Sequence, residues 1–249
     1  MDTVLITGAS SGYGRQTALH FHDRGWKVIA TMRTPRPDLF PESERLRVLG
    51  LDVTRPESIA AAVEAAGPVD VLVNNAGIPA IGVFEGTPMS RVREVFETNT
   101  FGVMATTQAV LPGFRERGSG VVVNVTSSVV LGHMPLSALY KASKMAVEGF
   151  TASLALELAP FGVRARTVQP GACLTTNFAQ RATGGTPPDA LVPAPYAAWA
   201  GRAMADFTAQ ELFTTETDVA EAVWCAAHDT TGQLRFPAGP DALWLAQAR

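Results

Sequence analysis

Two residues able to do acid–base chemistry, Tyr140 and Lys144, stand four positions apart in a segment, 138–159, that the sequence predicts to be a long helix. Side chains at positions i and i+4 share one helix face, so the phenol and the ammonium point the same way. A cation beside a tyrosine favours the phenolate, and we expect Lys144 to lower the pKa of Tyr140 toward neutrality. The same spacing also occurs on solvated helix faces, so other residues must decide between the two interpretations.

A glycine-rich loop, 8–14, follows a short apolar strand at 4–6 and precedes a predicted helix at 17–24 and a second strand at 26–31. Glycines let the backbone approach a phosphate, and the helix N-terminus offers free N–H groups and a positive dipole. The spacing is G-x-x-x-G-x-G rather than the commoner G-x-G-x-x-G, and a tight turn without a ligand is the alternative. The surrounding strand–loop–helix–strand order favours cofactor binding.

The rest of the chain continues this alternation of strands and helices. Further strands are predicted at 47–51, 69–73, 121–125, 163–168 and 233–236. Further helices are predicted at 88–117, at 218–227 and in the alanine-rich segment that Pro56 opens. Alternation implies right-handed crossovers and a parallel sheet. The sequence therefore predicts an α/β fold: a single doubly wound Rossmann-like domain over 1–249, with about seven parallel strands and helices on both faces.

One stretch, 172–216, departs from this pattern. It is rich in proline and in large apolar residues and lacks strong periodicity. A loop of that length inside a compact domain is usually functional. We expect it to act as a substrate lid.

The bulk composition excludes several classes of protein. The chain has 249 residues, 47% of them hydrophobic, and a formal net charge of −3, which gives no footprint for nucleic acid or an anionic membrane. The two cysteines have neither metal-ligand spacing nor a disulfide framework, so we expect no metal and a reducing compartment. No signal peptide or membrane-length apolar run is evident, and we expect a cytoplasmic protein.

Polar side chains follow several of the predicted strands. Ser127, Asn75 and the pair Pro170-Gly171 each stand where a strand ends, and ligands of open parallel sheets bind beyond those ends. Together with Tyr140, Lys144 and the glycine loop, in this order and spacing, they give the chain a resemblance to the short-chain dehydrogenase/reductase family, in its compact single-domain branch. The resemblance covers nearly the whole chain.

The resemblance implies a role for each matching residue. The catalytic set is Asn99, Ser127, Tyr140 and Lys144. The cofactor would contact the last two and Gly8, Ser10, Ser11, Gly12, Tyr13, Gly14, Arg33, Asp52, Val53, Asn75, Ala76, Gly77, Pro170, Gly171, Cys173 and Thr175.

Two residues depart from the family pattern, and one assignment needs a choice. Tyr13 replaces the usual isoleucine of the loop, and Cys173 stands where valine or isoleucine is common, as a packing group rather than a reactive thiol. Ser127 rather than Ser128 is assigned as catalytic, because the family spacing to the tyrosine is thirteen residues.

The implied reaction is hydride transfer between a nicotinamide cofactor and a carbonyl or secondary alcohol. Tyr140 would donate the proton and Ser127 would hold the substrate oxygen. The resemblance also implies that Lys144 binds the nicotinamide ribose and that Asn99 holds a water molecule that relays protons. At the end of the second strand, Met32 takes the place of the acid that NAD enzymes use, and Arg33 follows it, which favours NADP(H), with NAD(H) possible.

Substrate and assembly are less constrained by the sequence. A small hydrophobic ketone, aldehyde or alcohol is expected, as in steroid- and retinol-type members, against a wall made of Val83, His133, Met134, Leu136, Phe178, Tyr196, Trp199 and Phe207. The alternative is a catalytically silent NADP(H)-binding sensor. The family resemblance implies a homodimer or homotetramer formed through the helices that hold Asn99 and Tyr140.

Overall fold

A computed structural model describes residues 2–175, 182, 184, 187 and 191–248. Its centre is a seven-stranded sheet in the order β3-β2-β1-β4-β5-β6-β7, in which every neighbouring pair is parallel. The strands are β1 (Thr3–Ile6), β2 (Lys27–Met32), β3 (Leu46–Gly50), β4 (Val71–Asn74), β5 (Gly120–Val125), β6 (Val163–Pro170) and β7 (Arg235–Ala238). The predicted parallel, doubly wound sheet is confirmed.

The strand order creates a place for a ligand. The chain runs outward from β1 to β3, returns to place β4 beside β1, and then runs outward in the other direction to β7. The connections after β1 and β4 therefore leave on opposite sides, and a crevice opens between them at the carboxyl ends of the strands.

Helices cover both faces of the sheet. The α-helices in the described part of the chain are α1 (Gly12–Asp23), α2 (Pro56–Ala66), α3 (Met89–Phe96), α4 (Gly102–Arg117), α5 (Ala138–Leu158), α6 (Ala197–Thr208), α7 (Glu216–His228) and α8 (Pro240–Gln247). Alternate strand residues enter opposite cores: Val4 and Ile6 pack with Phe21 of α1, whereas Leu5 packs with Phe114 of α4. Burial on both faces explains why the strands are continuous apolar runs. Among the described helices, none is both long and apolar enough to cross a bilayer.

The predicted helix 88–117 is interrupted by one π-helical turn. α3 ends at Phe96, a π turn covers Glu97–Phe101, and α4 begins at Gly102. Such turns insert one extra residue into a helix and often mark functional positions. Asn99 lies in this turn and is fully buried.

Two further helices differ from the sequence prediction. α6 lies within the stretch expected to be a long loop, and α8 follows the strand expected to be last. α6 is rich in alanine, the best helix former, but it buries only Ala200 and directly follows a proline-rich stretch, which obscured it in the sequence. α8 is short and begins with Pro240, which is well tolerated in a first helical turn.

Candidate active site

The end of β5 and the start of α5 bring Ser127 and Tyr140 together. The two side chains are hydrogen-bonded to each other. Ser127 Oγ also accepts a hydrogen bond from Val129 N at 3.3 Å, because Ser127 caps the short 3₁₀ turn Ser128–Val130. An oxygen that accepts from the backbone keeps its own hydrogen free to donate.

Lys144 lies one helical turn below Tyr140 and is buried. Its Nζ donates to Val125 O at 3.0 Å and lies 5.8 Å from the centre of the Tyr140 ring. Burial lowers the pKa of Lys144 to about 8. The ammonium is thus poised to lose its proton close to neutral pH.

The pKa of Tyr140 moves in the direction opposite to the sequence-based expectation. Burial raises it above its ordinary value, and the hydrogen bond with Ser127 lowers it by less. The expected lowering of the Tyr140 pKa by Lys144 is therefore wrong, because removal from water penalises the phenolate more than its neighbours stabilise it. Tyr140 is therefore protonated at neutral pH.

Asn99 connects the loop after β4 with α5. Its Oδ1 accepts from Ile78 N at 2.8 Å, and its Nδ2 donates to Ile78 O at 2.9 Å and to Ser143 Oγ at 3.2 Å. A Cβ added to Gly77 would lie 3.3 Å from Asn99 Oδ1 and 3.5 Å from Lys144 Nζ. Asn99, Gly77 and Lys144 therefore meet at one point, as expected, while the water-holding role of Asn99 stays a prediction.

The glycine loop packs directly against the end of β4. Gly8 has a φ of +70°, and a Cβ there would lie 2.7 Å from Ala76 Cα. A Cβ on Gly14 would overlap Gly8 O and Asn75 Nδ2. Helix α1 begins inside this loop, at Gly12 rather than near the predicted 17, and the preceding Ser11 makes no side-chain capping bond within the described structure. The first N–H groups of α1 are thus available to an anion.

Thr7, which the sequence analysis did not single out, fastens the two loops together. Its Oγ1 accepts from Asn75 N and Ala76 N, both at 3.0 Å. In the opposite direction, Asn75 Nδ2 donates to Thr7 O at 2.9 Å and to Gly8 O at 3.1 Å. A threonine between an apolar strand and a glycine loop was the only available signal.

Gly171, after β6, is held between the glycine loop and the last helix. Tyr13 Oη donates to Gly171 O at 3.1 Å, and a Cβ on Gly171 would overlap Asp241 of α8. Asp241 accepts from Ala172 N at 2.7 Å and from Thr214 Oγ1 at 2.5 Å. Sequence reasoning missed Asp241 because it missed α8.

Tyr13 has more than a packing role. Burial raises its pKa, as do the neighbouring Cys173 and, more weakly, Tyr140 and Asp241. Tyr13, which departs from the family pattern, therefore lies within the electrostatic influence of Tyr140. Cys173 Sγ also lies 3.2 Å from Thr175 Oγ1.

Asp52 and Arg33 follow β3 and β2 at the far end of the crevice. Burial raises the pKa of Asp52, but hydrogen bonds from Thr54 and the charges of Arg33 and Arg55 outweigh it, so the pKa lies below its usual range. Arg33 is exposed, whereas Met32 before it is 3% exposed and points into the core. The adjacent Val53 is buried against Gly102.

The predicted substrate residues are distributed over more than one surface. Met134 packs with Tyr140 on Val129–Leu131, and Leu136 lines a narrow apolar cavity with Leu139. His133 instead borders a cavity of about 300 Å³ with Lys141, Trp244 and Leu245. Phe178 lies outside the described residues.

The predicted lid contacts the loop after β4. Val83 N donates to Leu191 O at 2.9 Å, and Tyr196 Oη donates to Glu85 Oε2 at 2.7 Å. Trp199, on α6, is 44% exposed, and Phe207 is half-buried.

Comparison with known proteins explains this arrangement. A family model described as short chain dehydrogenase matches residues 2–184. The chain belongs to the short-chain dehydrogenase family. The dehydrogenase from Streptomyces avermitilis has a TM-score of 0.82 at 35% identity, with 99% of this chain and 91% of that chain covered. A Burkholderia cenocepacia short-chain dehydrogenase in complex with NADP has a TM-score of 0.76 at 26% identity, over 99% and 92% of the two chains.

Curated relatives of this short-chain dehydrogenase carry named activities. The 3-ketodihydrosphingosine reductase of Bacteroides thetaiotaomicron is 40% identical over 172 residues, which are 68% of this chain and 62% of that protein. Human retinol dehydrogenase 8 is 39% identical over 184 residues, 70% of this chain and 59% of that protein. The match spans less than two thirds of the length of these relatives.

Burial of Lys144 makes the stability of this short-chain dehydrogenase depend on pH. Its folded pKa of about 8 lies below the roughly 10.4 of an unfolded chain, so between these values the unfolded chain binds a proton that the folded protein lacks. Stability is therefore gained as pH rises through this window and lost as it falls. Relative to Lys144→Met, the wild-type free energy of unfolding should rise by about 2–3 kcal/mol between about pH 7.5 and 10.5.

Urea denaturation of both proteins at several pH values measures this difference. Lys144→Met removes the ionisation and keeps most of the side-chain volume, so other titrating groups cancel. A difference that stays constant with pH would contradict the lowered pKa.

Proposed function

We propose that this protein is an NADP(H)-dependent oxidoreductase that interconverts a hydrophobic ketone or aldehyde and its alcohol. The observation that carries the proposal is the hydrogen-bonded pair Ser127 and Tyr140, with Lys144 buried behind it. A sensor that only binds a cofactor would not need to assemble an acid at this point. We also propose that 1–249 forms one domain and that 172–216 serves as its lid.

The proposed reaction uses the three side chains in different ways. A nicotinamide, when bound, would supply the hydride that the carbonyl carbon receives, and an electron pair would develop on the carbonyl oxygen. Tyr140 Oη donates its proton to that oxygen, and Ser127 Oγ donates a hydrogen bond to it. Tyr140 is protonated at neutral pH, and a protonated phenol is the form that reduction requires. Lys144 then serves as the nearby cation for the phenolate that is left.

The residues around the crevice suit a dinucleotide. The uncapped start of α1 offers N–H donors for a pyrophosphate, and Gly8 and Gly14 allow the loop to pack closely against the end of β4. Gly171, fixed by Tyr13 and Asp241, is the proposed contact for the nicotinamide amide. Asn75 and Gly77 are proposed to border the adenosine ribose and phosphates.

The exposed guanidinium of Arg33 supports NADP(H). Asp52, the nearest acid, accepts two hydrogen bonds from Thr54 and follows β3 rather than β2. A 2′-phosphate would therefore meet a cation and no carboxylate at the end of β2. One structural relative is solved with NADP and another with NADH, so the choice rests on Arg33.

The substrate is proposed to be hydrophobic. Met134, Leu136 and Val83 supply apolar surface close to Tyr140 or to the lid, and Tyr196 and Trp199 supply aromatic surface on the lid itself. Two of the relatives are named for a ketodihydrosphingosine and for retinol, which are both large apolar molecules. His133 would contact only a substrate long enough to reach the neighbouring cavity.

A homo-oligomer formed through α5 is also proposed. Residues along one side of α5 are exposed and small or apolar at intervals of three or four: Ala142, Met145, Gly149, Ser153 and Leu156. Leu156 is 78% exposed, and Phe101, at the start of α4, is 53% exposed. Such a stripe allows a second helix to approach closely. A reducing, cytoplasmic location stays a prediction.

Turnover and its dependence on Tyr140 test the proposed reaction. Wild-type protein should oxidise NADPH in the presence of at least one member of a panel of aromatic and aliphatic ketones. Tyr140→Phe should lower kcat by about 10²–10⁴-fold, the usual contribution of a general acid, and leave the Kd for NADPH within about twofold. Absorbance at the nicotinamide band and cofactor titration measure the two quantities.

Neighbouring serines provide a matched control for this experiment. Ser127→Ala should lower kcat by about 10²-fold, whereas Ser128→Ala should leave it nearly unchanged. Retained turnover in Tyr140→Phe would overturn the assignment of the acid. NADPH binding without turnover across the panel would favour the sensor.

Cofactor preference should depend on Arg33. Wild-type kcat/KM is expected to be higher with NADPH than with NADH. Arg33→Ala removes the cation for the 2′-phosphate and should lower kcat/KM for NADPH by about 10–100-fold, or roughly 1.5–3 kcal/mol for a charge-assisted hydrogen bond. The value for NADH should stay within about twofold.

Arg36→Ala is the matched control, because Arg36 is exposed but already paired with Asp38 at 2.6 Å. It should leave both values unchanged. Equal losses for NADPH and NADH in Arg33→Ala would refute a 2′-phosphate contact.

A charge placed in the α5 stripe should disrupt the proposed assembly. Met145, which is 45% exposed, lies in the middle of the stripe. Met145→Glu would bury a carboxylate in an apolar interface, so it should shift the protein toward monomer in light scattering at micromolar concentration. Ala60→Glu, on the exposed side of α2, should have no effect. A monomeric wild-type protein would contradict the proposal.

A further inference from the structure

Glu148 is a buried carboxylate for which neither the fold nor the proposed reaction has so far required a role. It lies on α5, four residues after Lys144, and only 5% of it is exposed. Thr126 Oγ1 and Gln169 Nε2 donate to its Oε1, at 2.7 and 3.0 Å. Thr167 Oγ1 and Arg235 Nε donate to its Oε2, at 3.3 and 3.1 Å. Each carboxylate oxygen therefore receives two donors.

These donors come from three adjacent strands, near the carboxyl ends of β5 and β6 and at the first residue of β7. Thr126 directly follows β5 and precedes Ser127, Thr167 and Gln169 are in β6, and Arg235 is in β7. Gln169 is followed by Pro170-Gly171, the proposed nicotinamide contact. One side chain on α5 thus fixes the position of both strand ends that carry site residues.

Glu148 is part of a regular contact between α5 and the end of β5. Tyr140 bonds Ser127, Lys144 bonds Val125 O, and Glu148 bonds Thr126. One turn further along, Thr151 Oγ1 accepts from Asn124 Nδ2 at 2.8 Å. Residues 140, 144, 148 and 151, which share one face of α5, therefore contact residues 124–127, at and just after the end of β5.

The cost of this arrangement argues for a role beyond stability. Burying a carboxylate requires desolvation, and well-packed apolar groups are often as stabilising as a buried ion pair. A charged acceptor does, however, define direction: its four donors allow one register between helix and strands. An apolar side chain would tolerate small slips of α5 along β5. Such a slip would separate the hydroxyls of Ser127 and Tyr140.

We propose that Glu148 is a positioning residue that fixes α5 against the ends of β5 and β6 and so keeps Ser127 aligned with Tyr140. This inference rests on the proposed reaction. Glu148 itself does not touch substrate or cofactor. It acts through Thr126 on Ser127, and through Gln169 on the segment that contains Gly171.

Glu148→Gln tests the proposal with little change in volume. The amide replaces one acceptor oxygen by a donor, which then faces two of the existing donors. We expect kcat, per NADPH-binding site, to fall about tenfold, while KM for the ketone stays within about twofold, because the alignment matters most in the transition state. Glu157→Gln is the matched control: it makes the same change at an exposed position of α5, and it should leave kcat unchanged.

A double-mutant cycle separates positioning from a general loss of structure. In a Ser127→Ala background, Glu148→Gln should lower kcat by less than about twofold, because the group it aligns is already gone. A tenfold loss in both backgrounds, or a lowered melting temperature with unchanged kcat, would overturn the inference. If Glu148→Gln does not fold, Thr126→Val, which removes the linking hydroxyl, should show the same non-additivity with Ser127→Ala.

Hydrogen exchange provides a readout that does not need turnover. Peptides covering 126–131 and 168–172 should exchange faster in Glu148→Gln and at the wild-type rate in Glu157→Gln. Equal exchange in the two variants would refute the positioning role. Absence of turnover in wild-type protein would count against the proposed reaction instead, and the exchange experiment would still decide the role of Glu148.

Discussion

The contact between one face of α5 and the end of β5 determines the geometry of the site. Tyr140 and Lys144 are useful only if the helix that carries them is fixed against the strand that presents Ser127. Here that contact is almost wholly polar: a hydroxyl pair, an ammonium on a backbone carbonyl and a carboxylate on a threonine. Polar contacts are directional, and buried ones are strongly penalised when broken. The precision of the site therefore follows from groups that an apolar core would exclude.

Burial in this contact also sets the pKa values of Tyr140 and Lys144. Removal from water disfavours charge on both side chains, so the pKa of Tyr140 rises and that of Lys144 falls. The sequence suggested the opposite for Tyr140, since spacing reveals which groups are neighbours but not how much water surrounds them. Burial thus favours the uncharged form of both groups: the phenol of Tyr140 keeps its proton, and the ammonium of Lys144 can lose its own.

Much of the fold was predictable because periodicity is strong where both faces of the sheet are covered. Strands such as β1 and β5 are unbroken apolar runs, and the glycine loop, Ser127, Tyr140 and Lys144 stand at spacings that imply their common edge. Features set by tertiary contact were not predictable. The π turn at Asn99 has no local signature, α6 directly follows a proline-rich stretch, and α8 is a short helix after the last strand.

The missed helix α8 matters more to the site than its length suggests. Asp241 bonds Ala172 N from one side, Tyr13 Oη bonds Gly171 O from another, and Gln169 is held by Glu148 from below. Three elements distant in sequence thus constrain residues 169–172, which leave β6 at the rim of the crevice. Gly171 has no side chain because Asp241 occupies the space where a Cβ would lie. Glycine at position 171, which looks like a turn residue in the sequence, is therefore required by the carboxylate of Asp241, seventy residues later. These contacts fix the rim of the crevice at the place proposed for a nicotinamide.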